Sequence, residues 1–89
     1  MPIFHYVYLV RCADGTYYCG YALDPVSRIQ LHNAGRGSKI LRGKRPVRLA
    51  FVRRFVSRGD ALRFEIALKA NSHAEKRQLS RRWKACKKR

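Results

Sequence analysis

Four residues spread through the chain carry side chains suited to phosphate chemistry: Tyr8, Tyr18, Arg28 and Glu65, with Tyr18 opening the triplet Tyr18-Cys19-Gly20. A phenol can hold or relay a proton. A guanidinium is planar and always charged, so it grips phosphate oxygens with paired hydrogen bonds. A carboxylate can hold a divalent ion. The chain sets 21 Lys plus Arg against only five Asp plus Glu, so each carboxylate can be weighed separately.

Four of the five acids have local duties. Asp14 sits at the tip of an expected hairpin, while Asp24, Asp60 and Glu75 fall at helix starts, where capping accounts for them. Glu65 falls in mid-helix instead, with Ala61, Leu62 and Leu68 as same-face neighbours three and four positions away. A carboxylate beside an apolar stripe is unfavourable unless it is paired or bound to a metal. Two readings stand: a metal ligand, or a surface pair with Lys69 worth a few tenths of a kcal/mol. Two-metal nucleases need clustered carboxylates to hold ions about 4 Å apart, and this chain cannot supply them. A single Mg²⁺ or Mn²⁺ that keeps most of its water is feasible on one carboxylate.

The elements that must position these side chains read clearly. His5–Arg11 is a strand, Ala13-Asp14-Gly15-Thr16 a turn, and residues 16–21 a returning strand. A two-residue turn would put Tyr8 and Tyr18 on opposite faces. A three-residue loop with Gly15 left-handed would pair Cys12 with Thr16, Val10 with Tyr18 and Tyr8 with Gly20, so both phenols would share one face. Since a shared site needs them together, the bulged form is expected. Asp24-Pro25 starts a first helix to about Ala34, capped by Gly35, with Arg28 and His32 four apart on one face.

Residues 35–48 read as a glycine-punctuated basic loop carrying Arg36, Lys39, Arg42, Lys44, Arg45 and Arg48, suited to backbone phosphate but not to reading sequence. Residues 47–55 form a third strand with imperfect alternation. A second helix is expected over about 58–70. A third follows the capping box Ser72-His73-Ala74-Glu75, with an apolar line at Leu79, Trp83 and Cys86 and a basic end at Lys84, Lys87, Lys88 and Arg89. The order β-β-α-β-α-α is an α+β domain, a small sheet with helices packed on it.

Eighty-nine residues with 46% apolar content fit one domain with a modest core. A formal charge of +16 implies a polyanionic partner, most simply nucleic acid. The longest apolar runs are about five residues, against about 20 for a spanning helix. The start, Met1-Pro2-Ile3-Phe4-His5, lacks the basic region of a secretory signal, which points to the cytosol, with nucleoid association compatible. Three cysteines, Cys12, Cys19 and Cys86, with no CxxC pair, suggest neither a disulfide framework nor a zinc site.

The ordered set resembles the GIY-YIG nucleases, in particular their small single-domain bacterial members. Tyr6-Val7-Tyr8 stands where GIY belongs and Tyr18-Cys19-Gly20 where YIG belongs; Arg28 follows Gly20 by eight residues, and His32 lies four further on. The stretches 32–39 and 42–47 look like the signature of the small members, and Ala61-Leu62-Arg63-Phe64-Glu65 resembles the segment bearing the family's metal-binding glutamate. The resemblance spans about residues 5–80. It implies a three-stranded antiparallel sheet flanked by helices and a metal-dependent endonuclease acting on DNA.

By the same resemblance, Glu65 holds the ion and Tyr8 accepts or relays a proton from the attacking water. Tyr18 positions water or phosphate, Arg28 stabilises phosphoryl charge, and His32 assists proton transfer or phosphate binding. Tyr6 departs from the family glycine and could narrow the site; Cys19 replaces the isoleucine of YIG. An ordinary tyrosine pKa of about 10 leaves near one part in a thousand phenolate at pH 7, so Tyr8 needs help from Arg28 and a cation.

A second class of function fits the charge as well: a basic nucleic-acid-binding module without turnover, whose salt-sensitive binding would survive loss of Glu65. An RNA-binding or ribosome-associated role is a third. Tyr6, Tyr17 and Tyr21 read as strand aromatics, and Trp83 as core rather than a stacking platform. The length leads us to expect no second domain to read a target, so a protein partner for targeting is compatible, and the oligomeric state is open.

Overall fold

The computed structural model describes residues 3–87. Its centre is β1 (His5–Arg11), hydrogen-bonded on one side to β2 (Tyr17–Ala22) and on the other to β3 (Arg48–Phe55), both antiparallel. Val7, Tyr8, Leu9 and Val10 are each at most 1% exposed. Such a continuous apolar run is what a strand covered on both faces requires.

The hairpin takes the bulged form. The Cys12 N–H donates to the Thr16 carbonyl at 2.8 Å and the Gly15 N–H to the Cys12 carbonyl at 3.0 Å. Gly15 has φ 85°, a left-handed conformation glycine adopts freely. Tyr8 therefore faces Gly20 and Val10 faces Tyr18, which puts both phenols on one side of the sheet.

Helix α1 (Pro25–Asn33) starts where Asp24 accepts the Ser27 N–H at 3.1 Å. It ends in a Schellman turn: the Gly35 N–H donates to the His32 carbonyl and the Arg36 N–H to the Leu31 carbonyl, both at 3.0 Å. The following segment is not the open loop its composition suggests. Lys39–Lys44 forms a 3₁₀ helix, capped by the Ser38 hydroxyl and pinned by Leu41, which is 1% exposed. The Asn33 side chain closes the segment by clasping Val47, accepting its N–H at 2.7 Å and donating to its carbonyl at 3.0 Å.

In β3 the alternation is broken for a reason. Leu9 pairs with Phe51 and Val10 with Leu49, so Ala50 is an extra, bulged residue, and Ala50 and Phe51 both join the same core cluster.

Helices α2 (Arg58–Ala70) and α3 (His73–Lys87) follow. Ser57 caps α2, while Asp60 turns to Arg63 instead of completing a capping box. The box before α3 is reciprocal: Ser72 N–H donates to Glu75 at 2.9 Å and Glu75 N–H to the Ser72 hydroxyl at 3.1 Å.

Val7, Leu9, Cys19 and Phe51 pack against Ala61 and Leu68 of α2 and Leu79 and Trp83 of α3. Tyr8, Val10, Cys12 and Ala22 pack on the opposite face with Ile29, Leu41 and Val47. The expected apolar line of α3 stops at Trp83. Cys86 is exposed, while Ser80 beside Leu79 is buried. The basic residues Lys88 and Arg89, like the opening Met1-Pro2, lie outside the described residues. The result is an α+β fold in the order β-β-α-β-α-α, with one added 3₁₀ helix. No described helix is long and apolar enough to cross a membrane.

Candidate active site

Because β2 is an edge strand, α1 on one face and α2 on the other leave a concavity of about 540 Å³ that straddles it. Tyr8, Tyr18, Arg28, His32 and Glu65 all line it. Residues from β1, β2, α1 and α2, separated by up to 57 positions from Tyr8 to Glu65, are thus gathered at one place. Tyr6 is not among its lining residues; it borders a separate hollow with Pro25 and Val52, so replacing the glycine of GIY does not narrow the concavity.

Two glycines make the gathering possible. The Tyr8 ring lies against Gly20, where an added methyl would collide with ring carbon Cζ and the hydroxyl. The His32 ring lies against Gly37, where a methyl would collide with Nδ1. The third residue of Tyr18-Cys19-Gly20 is therefore small so that the first tyrosine can reach across its own sheet.

The hydrogen bonds at His32 assign its proton. The Ser38 N–H can only donate, and it lies 3.2 Å from Nδ1, so Nδ1 is bare. The proton then sits on Nε2 and is donated to the Tyr8 hydroxyl oxygen at 3.0 Å. His32 is 4% exposed and both its nitrogens are engaged, which leaves it no atom for phosphate. Its place is behind Tyr8, whose O–H is left to donate into the concavity. The His32 ring also meets the edge of Tyr18, with centroids 6.0 Å apart.

Burial pushes the Tyr8 phenol up to about 12, Tyr18 and Glu65 add to the rise, and the Arg28 guanidinium pulls against them. Burial, with Arg28, holds His32 below its usual value. At pH 7 the pair is a neutral phenol and a neutral imidazole, with phenolate near one part in 10⁵. Arg28 acts in the anticipated direction but does not outweigh burial. It is exposed, on the mouth side of the site.

Glu65 has 17% of its side chain exposed and pairs with Lys69 at 3.8 Å, the outer limit of an ion pair. The residue thus lines the concavity and also meets its i+4 lysine. The other carboxylates are engaged: Asp14 by Thr16, Asp24 by Ser27, Asp60 by Arg63 and Glu75 by Ser72.

Among the described residues no group of three or more His, Cys, Asp and Glu could hold an ion unaided. The donor set fits a single hard cation that keeps its waters, carried by one carboxylate, and does not fit a two-metal centre.

Of the basic segment, Arg36 lines the concavity and Lys39 is exposed, whereas Arg42, Lys44 and Arg45 donate to neighbouring protein atoms. Sequence reasoning missed Gly37 and Ser38, which set the position and tautomer of His32. The one available signal was the run of small residues, Gly37-Ser38, a few positions after a histidine. Lys69 was weighed only as a surface partner.

The model of the GIY-YIG catalytic domain matches residues 4–78. A UPF0213 protein of Halobacterium salinarum is 45% identical over 75 residues, covering 84% of this chain and 97% of that one. A UPF0213 protein of Halalkalibacterium halodurans is 43% identical, over 84% of this chain and 80% of that one. The solution structure of a UPF0213 protein from Bacillus halodurans superposes with a TM-score of 0.55 at 42% identity, covering 85% and 81% of the two chains. That of an E. faecalis protein gives 0.59 at 38% identity, covering 84% and 80%. With the fold, the tyrosine pair and the family match in agreement, the chain belongs to the GIY-YIG family, whose domain is that of the nuclease superfamily.

Proposed function

We propose that this protein is a divalent-metal-dependent endonuclease that hydrolyses DNA phosphodiester bonds. The observation that carries the reading is the convergence of Tyr8, Tyr18, Arg28 and Glu65 on one concavity at the β2 edge of a chain with a charge of +16. Arg28 binds the non-bridging oxygens of the scissile phosphate and opposes the charge that builds there. Tyr8 and Tyr18 hold the attacking water. Tyr8 accepts the water's proton as a phenolate, after its own proton has left to bulk solvent through the open concavity, and the Nε2–H of His32 stabilises the negative charge on its oxygen until then. His32 cannot itself take the Tyr8 proton in the resting site, because Nε2 already carries one. It is a positioning residue.

Glu65 would hold a Mg²⁺ or Mn²⁺ ion, displacing Lys69, and the ion supplies Lewis acidity and a lowered water pKa. Neutralising Glu65 also removes one of the influences that raise Tyr8. Arg36 and Lys39 extend the positive surface toward the flanking backbone. Purified protein with Mg²⁺ or Mn²⁺ should nick branched or plasmid DNA, and Glu65→Gln should lower the rate by at least about 10³-fold without weakening DNA binding. Equal cleavage by wild type and Glu65→Gln would reject the metal assignment.

The Glu65–Lys69 pair and the raised Tyr8 pKa favour a second reading, a DNA-binding module without turnover. It predicts salt-sensitive binding and no cleavage with either metal.

A further inference from the structure

We propose that the cleft next to the candidate active site receives an unpaired nucleobase from the strand whose phosphate lies on Arg28, so that strands with unpaired nucleotides are the substrate class. This rests on the nuclease reading above and goes beyond it. Beside the concavity of Tyr8 and Glu65 lies a roomier cleft, of about 790 Å³. The two are continuous through Tyr21, Arg28 and Leu31, which line both.

The chemistry of this cleft differs from that of its neighbour. Ile3, Leu23 and Leu31 line it with 66%, 56% and 39% of their surface exposed, an apolar concentration on an otherwise strongly cationic protein. His5 and Tyr21 add a stacked ring pair, with centroids 5.9 Å apart and planes at 18°, fixed by a 2.6 Å hydrogen bond between His5 Nδ1 and the Tyr21 hydroxyl. An apolar hollow floored by fixed rings, with an arginine shared with the phosphate site, matches a nucleotide in both its parts. The anion stays on Arg28 and the flat, uncharged base enters the cleft. Asp24 and Arg58 stand in the cleft with opposite charges, so beyond the shared Arg28 it offers a second phosphate no net attraction.

Two consequences follow for the substrate. A base stacked inside a duplex cannot reach the cleft without leaving its helix, so single strands, flaps and loops are favoured over intact duplex. Asp24 is engaged by Ser27 and His5 by Tyr21, and the rest of the lining is mainly apolar, so stacking rather than base-edge hydrogen bonding holds the base. Stacking is indifferent to base identity, because every base has a π face.

The experiment uses flapped and single-stranded oligonucleotides, intact or with one abasic nucleotide moved stepwise past the cut position. An abasic nucleotide beside the scissile phosphate should lower kcat/KM by roughly tenfold to a hundredfold, and the same change several nucleotides away should not. Ile3→Ser/Leu23→Ser, which alters two exposed side chains, should show the same loss on intact substrate and none on the abasic one. Equal cleavage of intact and abasic strands by wild type, with Glu65→Gln inactive, overturns the pocket and leaves the nuclease standing. If wild type cuts nothing, the nuclease reading falls; the pocket is then decided by affinity, and equal binding of intact and abasic strands overturns it too.

Discussion

The stretches before and after Gly35 use their cations in opposite ways. On α1, Arg28 is exposed at the concavity, and His32, four residues on, is buried behind Tyr8. Past Gly35 the positive charge is denser, yet three of its six cations, Arg42, Lys44 and Arg45, donate to the protein itself. Arg42 donates to the Gly35 carbonyl at 3.1 Å, Arg45 to the Arg42 carbonyl at 2.8 Å, and Lys44 to Thr16 at 3.4 Å beside Asp14 at 3.7 Å. These charges still contribute to the field that attracts a polyanion. Their geometry, however, is committed to folding a segment that has few apolar residues of its own. Density of charge is therefore a poor guide to which cation touches the substrate.

The sharpest way to break this contrast is to remove one arginine from each side. Arg28→Ala should lower kcat about 10²- to 10³-fold while leaving thermal stability nearly unchanged, because the side chain is exposed and serves the phosphate. Arg42→Ala should do the reverse. Losing its bond to Gly35 should remove about 1 kcal/mol, or roughly 4–8 °C of Tm in a domain of this size, with cleavage within a few-fold of wild type. Paired kinetics and melting curves decide it. An Arg28 variant that melts early and keeps its activity would overturn the comparison.

Glycines sharpen it next. Gly20→Ala places a methyl against the Tyr8 ring, so the ring must move or the strand must bulge, with about 1–3 kcal/mol of destabilisation and a tenfold or greater loss of cleavage. Gly43, in the basic segment, has nothing within 4 Å of an added methyl. Gly43→Ala should leave both quantities within experimental scatter. If the two substitutions behave alike, the close approach of Tyr8 to Gly20 is not what shapes the site.

What could be read from the chain depended on whether a signal was local. The bounds of β1 and α2 follow from their apolar patterns, and the caps at Asp24, Ser57 and Ser72 are short-range chemistry. The bulged hairpin was legible because two tyrosines needed a common face. Glu65 stood out because it falls in mid-helix beside an apolar stripe, in a chain whose four other acids fall at a turn or at helix starts.

The 3₁₀ helix was not legible, because a stretch rich in Gly, Arg and Lys has no helical period and its one anchor, Leu41, is a single buried side chain. The bulge at Ala50 was visible only as imperfect alternation. The neutral, donor state of His32 was beyond reach, since it depends on the Ser38 backbone N–H and on burial, neither of which is a property of residue type.

That histidine gives the smallest and most specific effect. Burial and Arg28 keep the folded His32 from taking a proton at its ordinary value near 6.5, whereas the unfolded chain takes it there. Below that pH the unfolded state binds more protons than the folded one, so stability falls as pH drops from about 6.5 toward the lower folded value. Protonation would also set an Nδ1–H against the Ser38 N–H, which couples the loss to a specific bond. Denaturant titrations at stepped pH should show this slope in wild type and a shallower one in His32→Gln. Imidazole nitrogen shifts by NMR at pH 7 should report the Nε2–H tautomer. An Nδ1–H tautomer would reverse the Tyr8–His32 hydrogen bond, leave Tyr8 as its donor, and remove the reason for treating that phenol oxygen as an acceptor of charge.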